Sequence, residues 1–178
     1  GDKIVNTILD SEKYFFIYKP HPNLGAHDLN VKETHSRLLN KIDKCKHAIT
    51  ITDTDVNNIY PMVDFAIFDM SSIMTDYLSV DKPFILADVF DPSVHQIEDY
   101  NVLKGCTRLT LDNVNSLLDI IDDEISNDPM REKRQGIKDL YLGNYKEGES
   151  IKKFIGSVSE IIRQRDREIT KKYEEVTS

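Results

Sequence analysis

Five short apolar runs set the strongest limit on what this chain can fold into. Each is four or five residues long, and apolar or β-branched residues follow one another instead of alternating with polar ones. The runs span residues 14–18, 48–52, 65–68, 84–87 and 107–110. Continuous apolar runs of this length are typical of strands buried on both faces, as in a parallel sheet covered by helices. The pattern therefore predicts an α/β fold.

Amphipathic segments separate these runs. Apolar residues recur at helical spacing before the first run, between later runs and near the end of the chain, where Ile151, Ile155 and Ile162 share one face. Asp112 is predicted to cap one helix, and Asp128-Pro129 to start another. Alternating strands and helices favour a Rossmann-like, doubly wound parallel sheet of about five strands. The 178 residues are enough for about one domain, residues 1–178.

Charge and cysteine content exclude several classes of protein. Lys and Arg number 23 against 31 Asp and Glu, and the net charge of −8 argues against a nucleic-acid partner bound through bulk positive charge. Cys45 and Cys106 are too few for a disulfide framework or a four-cysteine zinc site, so we expect reduced thiols, a cytoplasmic location and no metal. No apolar run approaches the length of a membrane span.

The first candidate for chemistry follows the first apolar run. The sequence there is Lys19-Pro20-His21-Pro22-Asn23, and the two prolines hold the backbone extended around His21. In open α/β sheets ligands bind at the carboxyl ends of the strands, so this histidine is placed to donate a hydrogen bond or a proton to a phosphate. A turn histidine bonded only to the backbone is the alternative interpretation.

The second candidate follows the third run. Asp69-Met70-Ser71-Ser72 stands where a strand should give way to a helix, and Asp76 lies one turn further on. Free N–H groups at a helix start, together with two hydroxyls, favour an anion even in an acidic protein. An ordinary serine N-cap is the alternative. Near the end of the chain, Gly148 and Ser150 precede the last helix and are a further candidate phosphate contact, or a simple cap.

Taken together, these strings resemble a known family. Lys19-Pro20-His21-Pro22, then Asp69-Met70-Ser71-Ser72 with Asp76, then Lys82-Pro83 and finally Glu147-Gly148-Glu149-Ser150 are similar to motifs of the CDP-glycerol glycerophosphotransferases, the teichoic-acid polymerases and primases. The likeness runs from about Tyr14 to about Ile162. Phe68 and Met70 depart from the family pattern, which has Thr and Tyr there.

The resemblance implies that this chain is the C-terminal, nucleotide-binding half of a GT-B glycosyltransferase fold, in a larger two-domain enzyme. It implies His21 as the catalytic residue near the donor pyrophosphate. The donor-binding residues that the resemblance and the strand-end positions together suggest are Lys19, Asn23, Asp69, Ser71, Ser72, Asp76, Gly148 and Ser150. No cofactor or metal is expected.

The implied partners are CDP-glycerol, or a similar CDP-linked polyol, and a cell-wall or capsular polymer. The polymer would be bound through an N-terminal domain that is not part of this sequence. The full-length protein would act in the cytoplasm, peripherally at the inner face of the cell membrane. Two alternatives stay open at this point: a GT-B sugar-nucleotide glycosyltransferase or epimerase domain, and a non-catalytic flavodoxin-like regulatory module.

Overall fold

The computed structural model describes residues 2–22, 24, 28–88 and 101–177. The chain divides into two compact units, Gly1–Tyr141 and Leu142–Ser178. The elements in chain order are α1 (Asp2–Ser11), β1 (Phe16–Tyr18), α2 (Leu29–Ile42), β2 (Ala48–Thr50), β3 (Ala66–Phe68), α3 (Ile73–Tyr77), β4 (Phe84–Ala87), β5 (Thr107–Leu109), α4 (Leu117–Asn127), α5 (Arg131–Leu142) and α6 (Glu149–Thr177). That residues 1–178 act as one donor-binding domain stays a prediction.

All five strands lie within the apolar runs, and all pair in parallel. β1 pairs with β2, in register Ile17 to Ile49, while β4 lies between β3 and β5. The ladders form two sheets, whereas the sequence pattern predicted a single one. Among the described residues, no backbone ladder joins the two sheets. They are joined by side-chain packing, because Phe16 of β1 and Ile67 of β3 pack against the same buried cluster.

β4 is the centre of the fold, because each of its side chains is buried. Ile85 and Ala87 pack with α1 and α4, whereas Phe84 and Leu86 pack on the opposite face with α3. Strand side chains alternate between the two faces of a sheet, so helices must cover both faces here. This arrangement confirms the prediction of an α/β fold with parallel strands and helices on either side.

Two predictions about helix ends were wrong. Asp112 does not begin a helix. Asn113 precedes a 3₁₀ turn, Val114–Ser116, and its side chain accepts a hydrogen bond from the Thr110 N–H at 2.7 Å, which closes the loop after β5. Asp128 ends α4 as its left-handed C-cap, with φ of 45°, and α5 begins three residues later. A single sequence does not distinguish these positions, because Asp and Asn suit both ends of a helix.

Candidate functional site

The loop after β1 carries Lys19 and His21. The Lys19 ammonium donates to the Thr52 carbonyl at 2.6 Å, and the Ile51 N–H donates to the Tyr18 carbonyl at 2.9 Å. Lys19 therefore ties the end of β1 to the segment after β2. His21 is exposed, and its carbonyl accepts a hydrogen bond from the Leu24 N–H at 2.9 Å. His21 is therefore exposed in the loop that follows β1, and its catalytic role stays a prediction.

The carboxyl ends of β1 and β3 are electrostatically linked. Tyr18 ends β1, and Asp69 directly follows β3 with its carboxylate exposed. Burial raises the pKa of Tyr18, and the charges of Asp69 and Asp2 raise it further. The charge of Asp69 thus acts on Tyr18, although their strands belong to different sheets. The crevice outside these ends is the place where α/β folds bind ligands.

Ser71 and Ser72 lie exposed between β3 and α3. Their carbonyls accept hydrogen bonds from the Met74 and Thr75 N–H groups, at 3.3 and 3.0 Å. Ser72 stands at the N-cap position with helical backbone angles, φ −61° and ψ −20°, and its side chain makes no capping hydrogen bond within the described structure. An N-capping serine usually has extended angles. The simple capping interpretation is therefore not what the structure shows, and the hydroxyl is available to a ligand.

The helix that follows these serines is short. α3 has five residues before it tightens into a 3₁₀ turn, Leu78–Val80. Its dipole is correspondingly small, because a macrodipole is the sum of aligned peptide units. The sequence argument gave the helix dipole more weight than this geometry supports, and the serine hydroxyls gain importance.

Tyr60 is hydrogen-bonded to the first turn of α3, and the sequence analysis did not identify this role. The Tyr60 hydroxyl donates to the Ile73 carbonyl at 3.3 Å, and the ring meets Tyr77 edge-on with 5.1 Å between centroids. Burial raises the pKa of Tyr60 to about 12, and the charges of Asp76 and Asp55 add to the shift. Asp76 is exposed on α3, close enough to act on this hydroxyl. Tyr60 thus fixes the turn that carries the serines.

A second missed feature is an ion pair between Arg108 and Asp88. Asp88 directly follows β4, and its N–H donates to the Leu109 carbonyl at 2.8 Å. Its carboxylate accepts a hydrogen bond from the Arg108 guanidinium on β5. Arg108 is partly exposed, and the Asp88 carboxylate balances its positive charge. The rule that pointed to the first and third strand ends also applies to β4 and would have identified this pair.

The remaining predicted site residues either belong to the second compact unit or lie outside the residues that the structure describes. Asn23 lies outside the described residues. Gly148 and Ser150 belong to the second compact unit, Leu142–Ser178. Gly148 has φ of +73°, a left-handed conformation that suits glycine, and Ser150 lies within α6 rather than capping it. In the part of the chain that the structure describes, no group of three His, Cys, Asp or Glu side chains is arranged to hold a metal ion.

One further property concerns membranes. Over residues 2–22, 24, 28–88 and 101–177, no helix combines the length and the apolar character that a membrane span requires.

Comparison with known proteins identifies a family. The family model described as CDP-glycerol:poly(glycerophosphate) glycerophosphotransferase matches residues 6–160, which include both sheets, both strand-end loops and the start of α6. No curated protein and no solved structure matches the chain. Because the match covers most of the 178 residues, the chain belongs to the CDP-glycerol:poly(glycerophosphate) glycerophosphotransferase family.

Proposed function

We propose that this chain is the donor-binding half of a GT-B enzyme that transfers glycerol phosphate from CDP-glycerol to a polymer. The observation that carries the proposal is the exposed Ser71-Ser72 pair at the carboxyl end of β3, with the Ser72 hydroxyl not used as a helix cap. Family membership supports a glycerophosphotransferase and a CDP-glycerol donor. In this proposal the donor's pyrophosphate lies over the two serines.

The phosphates and the hydroxyl groups of the donor can each be assigned a chemical counterpart at this edge. Hydroxyls of Ser71 and Ser72, together with nearby N–H groups, donate to phosphate oxygens. The carboxylates of Asp69 and Asp76 repel a phosphate, so we assign them to hydroxyl groups of the ribose or the glycerol, which donate to a carboxylate. The charge of Arg108 is already balanced by Asp88, while Lys19 acts through the Thr52 carbonyl to shape the loop of His21.

The proposed reaction is a single phosphoryl transfer. An acceptor hydroxyl oxygen forms a bond to the β-phosphorus, which carries the glycerol, and the bond from that phosphorus to the bridging oxygen breaks. CMP leaves with the bridging oxygen and its electron pair, and His21 donates a hydrogen bond or a proton to the leaving phosphate. Donors placed where negative charge develops are the main source of rate enhancement in such transfers. The acceptor's proton passes to a base outside residues 1–178.

The identity and the location of the acceptor are also part of the proposal. We propose that a cell-wall or capsular polymer is bound by a preceding domain, and that the full-length enzyme works at the inner face of the cell membrane. Gly148 and Ser150 are retained as candidate contacts of the donor from the second unit. They are assigned by motif similarity alone.

The test is calorimetric titration with CDP-glycerol. Ser72→Ala should weaken binding by about 1–2 kcal/mol, the usual loss for a hydrogen bond to a charged group. Ser79→Ala is the matched control, since Ser79 is also exposed and lies in the 3₁₀ turn at the other end of α3. Equal affinities of wild type and Ser72→Ala would remove the serines from the site. Tighter binding of a UDP-sugar, or of FMN, would favour one of the two alternatives.

A further inference from the structure

Arg134 of α5 is a buried charge outside the proposed site. Its side chain is 1% exposed. The two terminal guanidinium nitrogens donate to the two Asp128 carboxylate oxygens, at 2.7 and 2.6 Å, and Nη2 also reaches the Asp81 carbonyl at 3.5 Å. Nε lies 3.6 Å from the Asp81 carboxylate. One side chain therefore joins two aspartates that are far apart in the sequence.

Both aspartates stand where the chain reverses. Asp81 has φ of 50° and ends the 3₁₀ turn after α3, and Asp128 has φ of 45° and ends α4. Aspartate tolerates left-handed backbone better than most residues, but the conformation still costs more than it does for glycine, so contacts that hold it are stabilising. Arg134 binds the carboxylate of Asp128 in a fork that a guanidinium fits and an ammonium does not. The same side chain contacts the backbone and carboxylate of Asp81.

α5 contacts the segment beyond α3 at two more points. Gln135 donates to the Asp81 carboxylate at 3.2 Å, and the Lys138 ammonium reaches the Ser79 carbonyl at 3.5 Å. On the other side, α5 lies tightly against Gly105, where a Cβ would come within 3.1 Å of the Arg134 Cα. The helix is thus fixed in place, and it holds residues 79–81.

The held segment is continuous with the serines. Met74, Tyr77 and Leu78 are 0% exposed, so α3 and its 3₁₀ extension pack as one rigid piece between the Ser71-Ser72 pair and Asp81. Tyr60 fixes the near end of this piece through the Ile73 carbonyl. Arg134 fixes the far end. A shift at Asp81 would therefore move the serine hydroxyls.

We propose that Arg134 is a positioning residue, which sets the placement of α3 through the Asp81 turn and so aligns Ser71 and Ser72 with the donor pyrophosphate. This inference rests on the proposed function. A buried ion pair is by itself weak evidence for stability. The ion pair of Arg134 with Asp81 and Asp128 has a further role in fixing the geometry of α3, which hydrophobic residues at these positions would not perform.

The first experiment is a double-mutant cycle read by calorimetry with CDP-glycerol. Arg134→Lys should weaken binding about tenfold, within the range for residues that act through packed neighbours. In the Ser71→Ala/Ser72→Ala background the same change should cause less than about a threefold loss, because coupled residues are not additive. Equal losses in both backgrounds, or unchanged affinity in Arg134→Lys, would overturn the proposal. Equal losses are what we would expect if Arg134 only stabilised the fold.

A second variant covers the case in which Arg134→Lys does not fold. Gln135→Ala/Lys138→Ala removes the other two contacts of α5 with residues 79–81, at side chains that solvent reaches. It should weaken CDP-glycerol binding about threefold, again through packed neighbours. Lys133→Ala/Asp139→Ala is the control, since both residues are exposed on the same helix. Equal affinity of the two double variants would overturn the proposal.

A readout without ligand separates this inference from the proposed function. Amide hydrogen exchange at Met74 and Thr75, whose N–H groups bond to Ser71 and Ser72, should be faster in Arg134→Lys and in Gln135→Ala/Lys138→Ala, while α1 amides keep their rates. If wild-type protein binds no CDP-glycerol, the proposed function fails, and this measurement still decides whether α5 places α3. Unchanged exchange at Met74 and Thr75, or an equal change in α1, would overturn the positioning role.

Discussion

Two buried tyrosines that touch each other should respond in opposite ways to the loss of a hydroxyl. Tyr60 is 3% exposed and donates to the Ile73 carbonyl, whereas Tyr77 is 0% exposed and its hydroxyl has no hydrogen-bond partner among the described residues. Each ring also packs edge-on against the other, so replacement by Phe keeps the aromatic contact in both cases. The two substitutions therefore isolate one hydrogen bond.

The expected magnitudes follow from that difference. Tyr60→Phe removes a hydrogen bond and leaves the Ile73 carbonyl without its donor, which costs about 0.5–1.5 kcal/mol, and the long 3.3 Å distance favours the lower half of that range. Tyr77→Phe removes a hydroxyl whose unpaired burial costs about 1–3 kcal/mol, so the variant should be as stable as wild type or more stable. A difference of about 1 kcal/mol between the variants should separate their Tm values by roughly 2–4 °C.

The assay is urea unfolding followed by circular dichroism, because the chain has no Trp for fluorescence. CDP-glycerol affinity is measured beside it, and Tyr60→Phe should also weaken binding, since Tyr60 supports the turn of Ser72. A Tyr77→Phe variant that loses more stability than Tyr60→Phe would refute the assignment of hydrogen bonds. It would mean that the Tyr77 hydroxyl is the paired one.

Three shorter predictions follow from burial and from the proposal that another domain binds the acceptor. Burial raises the pKa of Cys106 to about 12. A thiol reagent at about pH 8 should therefore modify Cys45 and react with Cys106 only on unfolding, and rapid reaction of both thiols would contradict this. Burial also raises the pKa of Glu124, so its stabilising contribution is complete below the unfolded value of about 4.3 and is lost as pH rises through the folded pKa. Unfolding in urea should therefore show Glu124→Gln gaining stability relative to wild type as the pH rises above about 4, and a constant difference would count against it. Residues 1–178 alone should release negligible CMP from CDP-glycerol with a primed acceptor, because positioning of the hydroxyl supplies ~7–11 kcal/mol of the barrier; robust turnover would place the acceptor site within this chain.

Local sequence was sufficient for the strands and for the loops that follow them. A strand buried on both faces needs a continuous apolar run, and each run, such as residues 84–87, contains a strand of the structure. The same reasoning placed His21, Ser71 and Ser72 in loops directly after strands, and the structure has them there, while their role in donor binding stays a prediction. The 3-4 spacing of apolar residues likewise predicted the long helix α6.

Tertiary structure decided whatever depends on partners distant in the sequence. Arg134 and Asp81 are 53 residues apart, and nothing in the local sequence of either one indicates that they meet. Asp128 was assigned to the wrong helix for the same reason, because its left-handed backbone and its bond to Arg134 exist only once α4 and α5 are packed. Periodicity shows which residues share one face of an element, whereas the pairing of buried polar groups depends on which elements the fold brings into contact.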